Sequence, residues 1–157
     1  MTAVVDLTSG TVTGDIEIAA TPEAVFRALT TSEEMCSWWG SDDTYHIFNW
    51  KGDGRPGGQW SCEARSAATV IGRDAATVRG EFITVDPPRV LEHTWCPSWE
   101  NFFATTVRYT LEPTVKGTRV SVVHTGFLGR DDSARGHADG WNRVLGWLAK
   151  RFEAQRS

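Results

Sequence analysis

Several polar aromatic side chains fall in segments whose alternation would turn them toward one interior. Arg89 to Trp95 sets Leu91, His93 and Trp95 against Val90, Glu92 and Thr94. Thr105 to Leu111 sets Val107, Tyr109 and Leu111 against Thr106, Arg108 and Thr110, and Arg119 to Thr125 sets Val120, Val122 and His124 against Ser121, Val123 and Thr125. If these strands hold their period, imidazoles, a phenol and an indole share one covered face, with Glu92 and Arg108 on the other. In a pocket that excludes water, such groups can act as acid or base on a bound molecule, or can hold it by hydrogen bonds. A His or Tyr satisfied wholly within the core is the commoner arrangement and carries no chemistry. No spacing in the chain assigns a catalytic residue.

The indoles add to this picture, since the 157 residues include eight Trp. Trp38 and Trp39 come at the end of a short helical pattern, Trp60 and Trp95 from strands, and Trp141 from the long C-terminal helix. Each offers a flat stacking surface with one N–H, suited to a planar aromatic ligand, although about half of the Trp side chains are expected to serve as core filling. The candidate ligand-binding set is therefore Trp38, Trp39, Trp60, His93, Trp95, Tyr109, His124 and Trp141. Trp99-Glu100-Asn101-Phe102-Phe103 lacks alternation and reads as an aromatic loop, open to three roles: lid, protein-contact surface or packed hairpin end.

Other chemistries find no support in the sequence. Gly52 to Gly58 lacks both the G-x-G-x-x-G pattern and the Lys-Ser/Thr ending of a phosphate loop and reads as a turn. Cys36, Cys62 and Cys96 are widely spaced, without a metal-ligand pattern or a disulfide framework, so no metal and no cofactor is expected. Asp42-Asp43 and Asp131-Asp132 read as turn or cap residues. A formal net charge of -4 with no Lys/Arg run argues against nucleic acid and anionic membrane as partners. The N-terminal MTAVVDLTSG has neither the basic nor the apolar region of a secretory signal, so a cytoplasmic location is expected.

The elements that must position these residues follow from period and punctuation. Asp131 to Gln155 is the clearest: Trp141, Val144, Leu145, Leu148 and Phe152 form one helical stripe, Asp131, Asp132 and Ser133 offer N-cap oxygens, and Lys150, Arg151 and Arg156 suit its C-terminal end. Thr11 to Ala19 alternates as a strand. Thr21-Pro22-Glu23 opens a helix to about Leu29, and Thr31-Ser32-Glu33-Glu34 reads as a capping box before a second helix that Gly40 stops. Strands are expected at Tyr45 to Lys51, at Gln59 to Arg65 with Trp60, Cys62 and Ala64 on the covered face, and at Thr77 to Val85, ended by Asp86-Pro87-Pro88. Between them Gly72-Arg73-Asp74 marks a turn, and Pro113 and Gly117 mark a loop over Glu112 to Thr118. The fold class is α+β: a curved antiparallel sheet wrapped around a long C-terminal helix, with two short helices after the first strand. Residues 1–10 are expected as an N-terminal tail and 11–157 as one domain.

The ordered set Thr21-Pro22-Glu23-Ala24-Val25-Phe26, Trp38-Trp39, Gly57-Gly58-Gln59-Trp60, Gly80-Glu81-Phe82, Asp86-Pro87-Pro88-Arg89, Trp95, Gly117-Thr118, His124-Thr125-Gly126-Phe127 and Gly140-Trp141 resembles the START-like (SRPBCC) superfamily. Within it, the chain looks most like the branch named after the activator of Hsp90 ATPase. The resemblance implies a helix-grip fold with a hydrophobic cavity between sheet and helix. It also implies a choice of functions. The first is sequestration of a small hydrophobic or aromatic molecule, in the manner of lipid binders or of self-resistance proteins for enediyne antibiotics. The second is a polyketide cyclase-like enzyme, with His93, Tyr109 or His124 as acid or base. The third is a chaperone co-regulator that docks through the loop at Trp99 to Phe103.

Overall fold

In the computed structural model, which describes residues 2–66 and 76–153, alternation and helical period resolve into a definite order of elements. It runs β1 (Val4–Asp6), β2 (Thr11–Ile18), α1 (Pro22–Thr30), α2 (Ser32–Trp38), β3 (Tyr45–Gly52), β4 (Gln59–Ser66), β5 (Ala76–Asp86), β6 (Val90–Pro97), β7 (Thr105–Thr114), β8 (Gly117–Thr125) and α3 (Asp131–Glu153). A 3-10 turn at Ser98–Glu100 joins β6 to β7. The strands form one antiparallel sheet in the order β1-β2-β8-β7-β6-β5-β4-β3. The expected α+β helix-grip architecture is what the chain adopts.

From β3 to β8 the sheet is built hairpin by hairpin, whereas β2 pairs with β8, with Val12 opposite His124 and Ile16 opposite Val120. The chain must then travel from β2 to β3 at the far edge, and α1 and α2 make that crossing over the concave face, α2 against β3 and α1 against β7 and β8. Thr21 caps α1 as expected, its Oγ1 accepting from the Ala24 N–H at 3.2 Å, with Pro22 in the first turn. The expected capping box of α2 does not form. Thr31 ends α1 and begins α2 at once, and both its backbone N–H, at 3.2 Å, and its hydroxyl, at 3.0 Å, donate to the carbonyl of Arg27, so the hydroxyl does not accept from the second helix.

Within the expected N-terminal tail, Val4–Asp6 form an edge strand. Val4 and Val5 supply β-branched residues for β1, which pairs with β2 in the register Val4 to Thr13 and Asp6 to Thr11. Asp6 closes the hairpin: its Oδ1 accepts from the Thr8 N–H at 3.0 Å and its carbonyl from the Gly10 N–H at 2.9 Å. The Ala3 N–H donates to Asn142 Oδ1 at 2.7 Å, tying this edge to α3. The β7–β8 loop is also shorter than the span of 112–118, because Pro113 keeps extended geometry and pairs with Thr118, leaving a tight turn at Thr114–Gly117.

Helix α3 buries Ala134, Ala138, Trp141, Val144, Leu145, Leu148 and Phe152 along one stripe. Its first backbone bond runs from the Ala134 N–H to the Arg130 carbonyl at 3.0 Å, so Arg130, not Asp131 to Ser133, takes the cap position. Asp131 and Asp132 lie in the first turn, where their charge suits the helix dipole, and the Ser133 hydroxyl is spent on Glu100. The expected continuation to Gln155 and Arg156, and the turn at Gly72-Arg73-Asp74, lie outside the described residues. Because α3 rests chiefly on β2 and β1, its core stripe is loaded on one side of the sheet. Leu145 is fully buried there, so Leu145→Ala is expected to cost about 2–5 kcal/mol in urea unfolding. Trp99→Ala at a half-exposed loop position should change stability by about 0.5 kcal/mol or less.

Candidate functional site: a cavity between sheet and helix

With α3 seated over β1 and β2, its other flank faces the inner surfaces of β3 to β7 across a gap, a cavity of about 550 Å³. Two bulges give the sheet its extra turn. In β3 the register slips between Phe48 and Lys51, with Asn49 at φ 52°, so that Ile47 and Trp50 both face inward although three residues apart. In β5 the slip lies between Phe82 and Thr84. Gly80, just before it, lets the sheet and an indole share one place: a Cβ there would stand 2.1 Å from Thr94 O and 2.4 Å from Trp60 Nε1. The Trp60 indole therefore crosses β5 and donates to Thr94 O at 3.2 Å.

Trp39, Trp60, His93, Trp95, Tyr109, His124 and Trp141 all line the cavity, as the alternation of β6, β7 and β8 implies. They are brought together as a closed circuit of rings. Trp39 stacks on Trp95 at 6.1 Å between centroids, Trp95 lies 5.8 Å from Trp60, and Trp60 meets His93 at 5.0 Å. His93 lies 6.0 Å from Tyr109, Tyr109 meets Trp141 at 5.8 Å, and Trp141 returns to Trp39 at 6.2 Å. Trp38 does not belong to this wall. Trp38 is the last residue of α2, turned toward α1 where its N–H donates to Ala28 O at 2.8 Å, whereas Trp39 is the C-cap with extended backbone and faces the cavity.

The hydrogen bonds assign the state of each imidazole. His124, fully buried, accepts from Trp141 Nε1 at its Nδ1, 3.0 Å, so its proton sits on Nε2 and is donated to Thr105 Oγ1 at 2.6 Å. Thr105 passes its own proton to the carbonyl of Trp95 at 3.1 Å. His137 accepts from Trp95 Nε1 at its Nε2, 3.1 Å, and donates from Nδ1 to Ser133 O at 2.8 Å. Both nitrogens of each ring are thus engaged, one by an indole and the other by Thr105 or the Ser133 carbonyl, which leaves His124 no free position for acid or base work. His93 differs: Nδ1 donates to Thr94 O at 2.9 Å, and no group among the described residues bonds to its Nε2. The Tyr109 hydroxyl likewise has no hydrogen-bond partner among them.

Burial sets the charges. Desolvation lowers His93 to about 4 and holds His124 well below the ordinary imidazole value, with His137 and His93 nearby adding to the effect on His124. The same cause pushes the Cys62 thiol up to about 12 and raises the Tyr109 phenol. At neutral pH these lining groups are therefore uncharged. Charge is confined to the rim, where Glu100 accepts from Ser133 Oγ at 2.7 Å and from Arg130 at 2.8 Å. Burial pulls its carboxyl up, and the hydrogen bonds from Ser133 and Arg130 outweigh it, leaving Glu100 below the usual range. Arg130 also lies over the Phe103 ring at 3.9 Å, so the aromatic loop is fastened to the start of α3 beside the cavity, with Trp99 on the rim 56 % exposed.

His137 and Trp50 line the cavity without having been expected there. His137 lies four residues before Trp141, on the same helical face, and that spacing was the available signal. Trp50 had no such signal, because the bulge at Asn49 changes its face. Among the described residues no His, Cys, Asp and Glu cluster could hold a metal ion, and no helix is long and apolar enough to cross a membrane.

A family model for activator of Hsp90 ATPase homolog 1-like proteins matches residues 19–153. Comparison with curated proteins gives no match. Among solved structures, a protein from Rhodobacter sphaeroides superposes with a TM-score of 0.81 at 20% identity, covering 97% of this chain and 97% of that one. The AHSA1 protein from Silicibacter pomeroyi gives 0.77 at 24% identity over 93% and 99%. Protein Ms6760 from Mycobacterium smegmatis gives 0.79 at 19% over 99% and 99%. These likenesses bear on the fold alone.

The neutral imidazoles carry a pH dependence whose sign is fixed. Unfolded, His93 and His124 take up protons at the ordinary value of 6.5; folded, they resist until far lower pH, His93 until about 4. The unfolded chain thus binds more protons in that window, and stability, full above pH 6.5, falls as pH drops toward 4 by at most about 1.4 kcal/mol per pH unit for each ring. Urea unfolding at stepped pH should show this fall, and His93→Leu should flatten it.

Proposed function

This chain belongs to the activator of Hsp90 ATPase homolog 1-like family, and we propose that it binds a small, planar, largely hydrophobic molecule in the cavity between its sheet and α3. The observation that carries the reading is the unfilled volume of about 550 Å³ walled by indoles and phenols. Protein interiors pack densely, and voids larger than a water molecule are few; one of this size falls in the range of small-molecule sites. Its wall is held rigid by indole-to-imidazole hydrogen bonds, so the flat faces are set before a ligand arrives, which lowers the cost of binding.

Retention is favoured over turnover by the state of the lining groups. A general acid or base works best with a pKa near the operating pH, whereas His93 lies near 4 and Cys62 near 12. Two carboxylates line the rim: Asp132 is solvent-exposed, 3.7 Å from Arg135, and Glu100 is engaged by Arg130 and Ser133. The loop at Trp99 to Phe103 is fastened to α3 through those same contacts, which supports reading it as the edge of the cavity. A chaperone-docking surface has no comparable support.

A screen of planar aromatic compounds read by tryptophan emission, together with native mass spectrometry of protein purified from its own host, tests the reading. A ligand is expected to quench emission, with the quench reduced in Trp39→Phe and retained in Trp38→Phe, since only Trp39 lines the cavity. Absence of quenching by every compound, alongside co-purification of a chaperone, would falsify this reading and favour protein docking.

A further inference from the structure

Among the described residues, one interior imidazole keeps an open acceptor. The rings of His124 and His137 each spend their lone pair on an indole N–H. The third interior ring, His93, donates from Nδ1 to Thr94 O at 2.9 Å, which leaves the lone pair on Nε2. No donor among the described residues reaches it, and Nε2 is not among the sealed-off buried atoms, so it faces the cavity space that His93 lines. The ring cannot turn away: Trp60 stands against it at 5.0 Å and Phe82 at 6.2 Å, both edge to face. Tyr109, whose hydroxyl also lacks a partner among the described residues, stands 6.0 Å away on the adjacent strand. A buried acceptor without a donor is costly, and a site that keeps one discriminates strongly in favour of a ligand that supplies the missing hydrogen.

The geometry points to an uncharged aromatic compound bearing a hydroxyl group as the ligand, with His93 Nε2 accepting the hydroxyl hydrogen and His93 serving as the specificity-determining residue. This rests on the cavity-binding reading given above and adds the chemistry of the polar contact. A carboxylate offers only acceptors, so its oxygens would face the His93 lone pair with no hydrogen between them. A methyl ether keeps the shape and the oxygen but loses the hydrogen. Water held at Nε2 would be displaced at little loss by a hydroxyl that reproduces its bond.

The test uses two matched series of probes small enough to orient freely. One is 2-naphthol, 2-methoxynaphthalene and 2-naphthoate; the other is 4-hydroxybiphenyl, 4-methoxybiphenyl and biphenyl-4-carboxylate. Titration calorimetry on the full chain is expected to rank each hydroxyl about tenfold or more above its ether and its carboxylate, one net hydrogen bond's worth. In His93→Leu the hydroxyl should lose its advantage, so that the hydroxyl and the ether bind alike. Should that variant fail to fold, the wild-type chain with 15N-labelled histidine decides: the Nε2 resonance of His93 should move upfield with the naphthol and stay in place with the ether. Equal binding of hydroxyl and ether in the wild type, or tighter binding of the carboxylates, overturns the assignment while leaving the cavity a binding site. Failure of every probe to bind removes the cavity reading, and this one with it.

Discussion

An indole N–H buried away from water must find an acceptor, and for Trp95 and Trp141 that acceptor is an imidazole lone pair. Trp141 on α3 donates to His124 on β8, His124 to Thr105 on β7, and Thr105 to the backbone of Trp95 on β6. Trp95 then returns through its own indole to His137 on α3. One chain of bonds thus joins the long helix to the middle of the sheet at a fixed distance. It works only while the rings are unprotonated, because an imidazolium has no lone pair to offer. The low proton affinity of the buried His124 is therefore a condition of the architecture as well as a result of burial.

That spacing explains why the interior is not filled. The helix rests on β1 and β2, and its hydrogen bonds to His124 on β8 and Trp95 on β6 hold its other flank above the sheet instead of letting it sink. The bulges at Asn49 and beyond Phe82 bend the far strands, and Gly80 yields the space that Trp60 needs to cross to Thr94. Large side chains such as Trp39, Trp60 and Trp95 then line the gap and brace one another at ring-to-ring distances, where offset and edge-on contacts are favourable. Rigidity and emptiness arise from the same set of residues.

Much of this was written in the chain at the level of period. The stripe from Trp141 to Phe152, the cap at Thr21 and the alternation of β6, β7 and β8 each repeat often enough to fix which side chains turn inward, and so His93, Tyr109 and His124 were legible as neighbours. Local signals failed where two elements compete for one group. Thr31 stands between two helices and serves the first, and Ser133 is drawn off the cap position by Glu100, a residue more than thirty positions away. Trp50 was hidden because a bulge shifts its parity, which no count of alternating residues can detect. Trp38 and Trp39 look alike in sequence, and only the direction in which α2 lies separates a core indole from a cavity one. The open lone pair of His93 was beyond reach for another reason: it depends on which ring nitrogen Thr94 O engages, a matter of ångströms.

The slip in β3 has a second effect, on how copies of the chain meet one another. β1 and β3 are the outermost strands of the sheet, and such margins offer unpaired peptide groups to any passing strand. β1 is only three residues long, too brief to template a partner. β3 is longer, but its first half is bridged by Gly40 opposite His46, with the Ser41 N–H on Tyr45 O at 2.8 Å, and beyond that the left-handed residue Asn49 breaks its ladder. The kink that aims an indole inward also spoils the outward face as a docking rail.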